Sequence, residues 1–202
     1  MSYSEFTIEQ LVKFFNITFQ EQVKLFENIE PVEATPLLKE ILVENIPLAI
    51  EINTEKARSE MIVAPILIEI RKKFNRQISL FSGRDFTVDK DKGLTGRCDF
   101  LISSSSLQLE ITSPVAVLVE AKNDNLQSGI PQCIAEMIAA QIFNQKRENN
   151  IACIYGGVTT GSLWQFMKLE NNMVYLEGEE HFIGNIESIL GIISLIIKET
   201  SP

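Results

Sequence analysis

Residues 115–122, VAVLVEAK, are the stretch that most constrains how this chain can fold. Five apolar residues in a row predict a strand that is covered on both faces. The strand nevertheless ends in a carboxylate and an ammonium, Glu120 and Lys122. Because side chains alternate along a strand, both charges point to one face, together with Leu118 and Ala116. Buried charge is costly unless it is paired or bound to a metal, so neighbouring elements must supply partners.

The elements around this strand predict one α/β domain. Their order, a helix, three strands, a helix and a further strand, is typical of a mixed sheet flanked by helices. Pro65 leaves two interpretations of the first helix, a bent helix or a turn followed by a helix. The second helix is expected to begin at Ser128, with Pro131 in its first turn. We expect helices at 54–74 and 128–145, and strands at 77–82, 98–103, 115–121, 151–156, 163–169 and 173–178.

Additional segments flank this core on both sides. Apolar spacing predicts one amphipathic helix or two short ones over 5–28, and a second helical piece over 36–45. After the core, an Asn171-Asn172 turn predicts a hairpin, and an isoleucine-rich helix over 183–198 is expected to serve as core or as a homodimer interface. The expected division is an N-terminal helical layer at 1–53, a core at 54–157, and a hairpin plus helix at 158–202.

Charge is distributed unevenly along the chain. The net charge of −9 over 202 residues argues against nucleic acid as a partner. Residues 55–98, however, carry ten basic and six acidic side chains, among them Arg58, Arg84 and Arg97. A local basic surface on an acidic protein can hold a phosphate backbone, although solvated surface charges would give the same pattern.

Other classes of site are disfavoured by composition. Three widely spaced cysteines, Cys98, Cys133 and Cys153, support neither a disulfide framework nor a zinc site. The single histidine, His181, has no nucleophile beside it in the sequence and is expected at the surface. The sequence shows no signal peptide and no apolar run of the roughly 18 residues that span a membrane, so a cytoplasmic protein is expected.

Further polar residues accompany Glu120 and Lys122. Asp99 lies in the preceding apolar strand, and Glu60 lies near the start of the first core helix. Gln132 and Glu136 are one helical turn apart on the helix that follows the strand. Together these positions resemble the PD-(D/E)xK nuclease superfamily, whose members have the restriction-endonuclease-like fold. The resemblance covers about residues 55–157.

The resemblance implies a site for Mg²⁺ or Mn²⁺ and hydrolysis of phosphodiester bonds, most often in DNA. Asp99, Glu120 and the carbonyl of Ala121 would be metal ligands, with Glu60 as a further ligand. Lys122 would orient or deprotonate the attacking water, and Gln132 would hold the substrate or the lysine. The chain departs from the family pattern in two places: Cys98 precedes Asp99 in place of a proline, and Glu136 stands where some branches carry a tyrosine.

Several alternatives remain open at this stage. Glu120 and Lys122 can form a simple ion pair. Glu69 is the alternative to Glu60 as the carboxylate that the first core helix contributes to the site. Trp164 can belong to the core or stack on a base. A catalytically inactive protein with the same fold is the alternative function, and its acidic N-terminal helices would then form an interaction surface.

Overall fold

A computed structural model describes residues 1–149 and 151–200. Its helices pack on both sides of a central sheet. Short 3₁₀ turns at Tyr3–Glu5 and Ile183–Asn185 and a π-helical segment at Ser59–Val63 accompany them. The α-helices are α1 (Ile8–Phe15), α2 (Pro36–Ile52), α3 (Glu55–Arg58), α4 (Ala64–Lys73), α5 (Leu126–Gln145) and α6 (Ile186–Thr200).

The sheet is mixed, with eight strands in one continuous hydrogen-bonded array. Its strand order is β1-β7-β6-β5-β4-β3-β2, and β8 pairs with β6. The pairs β4–β5 and β1–β7 are parallel, whereas the others are antiparallel. The strands are β1 (Thr18–Val23), β2 (Ser79–Asp85), β3 (Arg97–Ser103), β4 (Val115–Ala121), β5 (Ile154–Thr159), β6 (Leu163–Glu170), β7 (Met173–Glu177) and β8 (His181–Phe182).

Two hydrophobic clusters lie on opposite faces of this sheet. One packs beneath α5 and contains Leu118 and Leu101. The other packs beneath α4 and α6 and contains Val117, Phe100 and the fully buried Trp164. Every residue of β4 is buried, which confirms the strand predicted from the apolar run. The α/β class with a mixed sheet flanked by helices is therefore confirmed.

A register shift alters the early part of β4. Val119 pairs with Phe100, and Val117 pairs with Ile102. The next residue of β3 pairs with Val115, so the pairing skips Ala116. Leu118 lies beneath α5 as expected, whereas Ala116 packs on the opposite face with Val117. The predicted face shared by Ala116 and Leu118 is therefore wrong, because the shift breaks the alternation of side chains.

The N-terminal region is only partly helical. The predicted helix over 5–28 is wrong beyond Phe15, since Thr18–Val23 forms β1, parallel to β7 at the edge of the sheet. Asn16, at φ 55°, ends α1 in the left-handed conformation. Buried Leu11 packs in the cluster beneath α5. The segment thus extends the sheet and the core, which helical periodicity alone does not indicate.

The helices around the core differ in detail from their predicted bounds. The run from α3 to α4 is helical throughout, with the π-helical segment before Pro65, so the proline stands at the start of α4. The helix after β4 is capped by Asn125, not by Ser128, and Pro131 lies inside it. Helix α2 extends to Ile52, past its internal Pro47.

The C-terminal hairpin and helix are confirmed. Strands β6 and β7 pair around Asn171, and α6 covers the sheet. Its residues Leu190 and Ile193 are fully buried in the cluster beneath α4 and α6, so they are core residues. A homodimer stays a prediction. Neither this helix nor any other in the described part of the chain is long and apolar enough to cross a lipid bilayer.

Asn144 provides a test of how β4 is anchored. The side chain of Asn144 accepts from Val115 N–H and donates to Val115 C=O, both at 2.8 Å. Pairing with β5 begins only at Val117, so the amide replaces a strand partner. Asn144→Ala is expected to lower the free energy of unfolding by about 2 to 4 kcal/mol, because two buried backbone groups lose their partners. Urea denaturation measures this, and exposed Gln145→Ala should change stability far less.

Candidate active site

The site lies where β3 and β4 run side by side at the end of β4. The Oδ2 atom of Asp99 accepts from the backbone N–H of Ala121 at 2.9 Å. This bond holds the Asp99 carboxylate beside β4, near Glu120. Lys122 Nζ donates to Glu120 Oε1 at 2.6 Å, so the predicted acid and base residues meet. The Lys122 side chain keeps 14% of its surface exposed, whereas that of Glu120 is almost completely buried.

Helix α5 extends this arrangement away from the strands. Lys122 Nζ also donates to Gln132 Oε1 at 3.3 Å, and Gln132 Nε2 donates to Glu136 Oε1 at 3.3 Å. Glu136 is fully buried and contacts the thiol of Cys98. Glu120, Lys122, Gln132 and Glu136 are therefore joined in one chain of hydrogen bonds. We call these four residues and Asp99 the acidic cluster.

Two buried carboxylate oxygens in the acidic cluster lack a hydrogen-bond partner. They are Glu120 Oε2 and Glu136 Oε2. An unpaired buried oxygen costs free energy, and such groups are rare in folded proteins unless they serve a function. Asp99 and Lys122 both act electrostatically on Glu120, and its unpaired Oε2 is free to bind an added positive charge.

Gly129 gives Lys122 the room it needs. A Cβ atom at this position would lie 2.6 Å from Val158 Cγ1 and 3.2 Å from both Cγ and Cε of Lys122. The aliphatic stem of Lys122 therefore runs across the backbone of α5, which directs its ammonium group toward Glu120. Sequence analysis did not identify Gly129, because nothing in its neighbours indicates this close approach.

The carboxylate that reaches the site from the helical run before β2 is Glu55, which sequence analysis also missed. Glu55 Oε2 lies 3.8 Å from Lys122 Nζ. Glu60 is exposed and pairs with Lys56 at 3.8 Å; within residues 1–149 and 151–200, no hydrogen bond or ion pair joins it to the acidic cluster. The alternative, Glu69, accepts from the backbone and hydroxyl of Thr35, both at 3.1 Å, so it anchors the start of α2. The π-helical segment that contains Glu60 is not a feature that the sequence predicts.

Burial changes the protonation of the acidic cluster. Burial and the nearby charge of Asp99 raise the pKa of Glu120 to about 8, against the opposing effect of Lys122. Burial also raises the pKa of Asp99, and burial with the charge of Glu120 raises that of Glu136 well above its usual range. Burial acts to lower the pKa of Lys122, but the surrounding carboxylates, chiefly Glu120, outweigh it and raise the pKa overall. The cluster is thus short of positive charge.

The donor set suits a hard cation with few protein ligands. Among the described residues, no group of three or more His, Cys, Asp or Glu side chains is arranged to hold a metal ion. Two carboxylates and a backbone carbonyl, from Asp99, Glu120 and Ala121, are oxygen donors of the kind Mg²⁺ accepts, since Mg²⁺ keeps several of its waters. The unpartnered Glu120 Oε2 is consistent with this arrangement.

Comparison with known proteins assigns no family to this chain. No protein-family model matches its sequence, and a search of the curated proteins gives no match. The geometry of the site is therefore the evidence for its chemistry. Of the predicted residues, the structure brings together Asp99, Glu120, Ala121, Lys122 and Gln132, and it places Glu60 elsewhere on the helical run, where its role as a metal ligand stays a prediction.

The raised pKa of Glu120 predicts a pH-dependent stability. Glu120 is protonated in both states below its ordinary pKa of 4.5, and between 4.5 and about 8 only the folded state keeps the proton. The free energy of unfolding of the metal-free protein should therefore fall as pH rises through this window, by about 1 to 3 kcal/mol. Urea denaturation in EDTA at several pH values measures the slope.

Glu120→Gln should reduce this slope, and the exposed Glu110→Gln should leave it unchanged. Asp99, Glu136 and Glu177 contribute to the slope that remains, since their pKa values are also raised. Equal slopes in wild type and Glu120→Gln would show that Glu120 ionises freely in the folded protein.

Proposed function

We propose that the protein is a metal-dependent nuclease of the PD-(D/E)xK, restriction-endonuclease-like kind, acting on DNA. The observation that carries this proposal is the hydrogen bond from Ala121 N–H to Asp99 Oδ2, which sets one carboxylate beside the Glu120–Lys122 pair. Two adjoining antiparallel strands supply these groups, and α5 follows directly. The mixed sheet with helices on both faces supports the same assignment.

The residues of the site have distinct roles in this proposal. Asp99, Glu120 and the Ala121 carbonyl would hold Mg²⁺ or Mn²⁺, which when bound would neutralise charge on the phosphate and leaving oxygens. Lys122 would orient the attacking water and offset negative charge on the phosphate as an ammonium, because its side chain is only 14% exposed and its Nζ donates to Glu120 and Gln132. Gln132 positions Lys122, while Glu136 fixes Gln132 from the interior.

Exposed arginines near Asp99 support a nucleic-acid substrate. Arg97 lies two residues before Asp99 on β3, and Arg84 on β2 pairs with Cys98 on β3. Both side chains are exposed, so they are free to meet a phosphate backbone. The overall charge of −9 is therefore compatible with DNA binding at this edge of the sheet.

A second candidate function is a catalytically inactive interaction protein with the same fold. Helix α2 favours it, because several large apolar side chains on this helix are exposed to solvent, an arrangement common in binding surfaces. They are Leu37, Val43, Leu48, Ile50 and Ile52, between 45% and 71% exposed. An interaction protein has no reason to bind a metal at Asp99 and Glu120, so metal binding separates the two candidates.

The nuclease proposal predicts a divalent-metal site that depends on Asp99. Calorimetric titration with Mn²⁺ at pH 8 should show binding to the wild type, weakened at least about tenfold in Asp99→Asn, which keeps a hydrogen-bond acceptor but loses the charge. Exposed Asp91→Asn is the matched control and should bind normally. Absence of binding in the wild type, with and without a cleavage-resistant phosphorothioate oligonucleotide, would contradict the proposal.

Cleavage should require both Lys122 and Glu120. With Mg²⁺ or Mn²⁺, Lys122→Ala and Glu120→Gln should lose at least about 100-fold in cleavage of plasmid or single-stranded DNA, because the first removes the ammonium that orients water and offsets phosphate charge and the second removes a metal ligand. Exposed Lys90→Ala should cleave normally. Comparing Glu55→Gln with Glu60→Gln shows which of these two carboxylates contributes to cleavage. The geometry predicts the larger loss of cleavage for Glu55→Gln. Cleavage that persists in folded Lys122→Ala would reject the assigned role.

A further inference from the structure

A cleft of about 470 Å³ opens next to the acidic cluster. It begins at Asn123, directly after Lys122, and its walls come from the segment before α5, the turn after β5 and the junction of α2 with α3. Short helix α3 joins the two sites, since Glu55 at its start lies against Lys122 and Arg58 at its end lines the cleft. The cleft and the acidic cluster therefore adjoin each other.

Arg58 is the buried cation of this cleft. Its side chain is 9% exposed in the folded protein. Nη1 donates to the carbonyl of Thr160 at 2.9 Å and Nη2 donates to Asn53 Oδ1 at 3.1 Å, whereas Nε has no partner. Both acceptors are neutral, and in the described part of the chain no carboxylate forms an ion pair with Arg58. A guanidinium stays charged at all ordinary pH values, so this buried positive charge lacks a counter-charge.

The N-terminus of α5 points to the same ligand. This helix has 20 residues, and Asn125, Leu126 and Gln127 at its start line the cleft. The Asn125 side chain caps Gln127 N–H at 2.8 Å, and the helix dipole places partial positive charge at this end. The two carboxylates of the cleft, Asp124 and Glu180, are exposed, so solvent screens them.

We propose that this cleft binds a phosphate group of the nucleic-acid strand and so positions the strand for the acidic cluster. The inference rests on the proposed nuclease function, and it names Arg58 and the start of α5 as the binding groups. A phosphate supplies the negative charge that buried Arg58 lacks, and its oxygens are acceptors for the guanidinium and for the free N–H groups of α5. An internal phosphate and a 5′-terminal phosphate share this chemistry.

The test measures binding without cleavage. Fluorescence anisotropy in EDTA with a labelled single-stranded oligonucleotide compares wild type, Arg58→Gln and Arg76→Gln, the last being an exposed arginine beyond the far end of α4. Arg58→Gln should bind at least about tenfold more weakly, with a shallower salt dependence, and Arg76→Gln should bind like the wild type. A loss seen only with a 5′-phosphorylated oligonucleotide assigns a terminal phosphate, and an equal loss without it assigns an internal one.

A second variant keeps the test decisive if Arg58→Gln does not fold, as judged by circular dichroism. Asn125→Asp preserves the capping oxygen but adds negative charge at the mouth of the cleft, so it should also weaken binding several-fold. Wild-type affinity in folded Arg58→Gln, or in Asn125→Asp where Arg58→Gln is unfolded, would overturn the inference, as would a wild type that binds no oligonucleotide. DNA cleavage is measured separately. If DNA is cleaved but these variants bind the oligonucleotide as tightly as the wild type, only the phosphate site is rejected. If the variants bind more weakly but the wild type does not cleave DNA, only the nuclease function is rejected.

Discussion

The structure depends on the burial of charge at the end of its central strand. All seven residues of β4 are buried between two layers of helices, and Glu120 is among them. A carboxylate in this position requires partners, and Asp99, Lys122 and α5 supply a surrounding of polar groups that leaves one of its oxygens unpaired. Because the cluster contains more carboxylates than cations, an added divalent cation would complete its charge balance.

The elements that surround the acidic cluster also border the neighbouring cleft. Gly129 lets the stem of Lys122 cross the backbone of α5, and Glu55 approaches the same ammonium from α3. Three residues further along, Arg58 lines the neighbouring cleft. One short helical turn therefore contacts the acidic cluster through Glu55 and lines the proposed phosphate site through Arg58.

Local charge matters more than net charge in this protein. The chain is acidic overall at −9, yet exposed arginines flank Asp99 and a buried arginine faces the cleft beside Lys122. The acidic residues of the N-terminal region are exposed, and three of them, Glu40, Glu44 and Glu51, lie on α2. This distribution of charge is compatible with the proposed nuclease function, because a phosphate backbone responds mainly to charges within one Debye length, which is about 10 Å at 0.1 M salt.

The sequence by itself determined the central apolar strand, the α/β order of elements, the C-terminal hairpin and helix, and the group formed by Asp99, Glu120, Lys122 and Gln132. These follow from local patterns, since alternation and helical spacing place residues on faces without knowledge of the rest of the chain. Tertiary structure decided what local patterns do not encode. Residues 18–23 have helical spacing but form an edge strand, because β7 offers a parallel partner from far along the chain. Likewise Glu55, not Glu60, reaches Lys122, because the start of α3 meets the end of β4 across the fold and the π-helical segment carries Glu60 toward solvent.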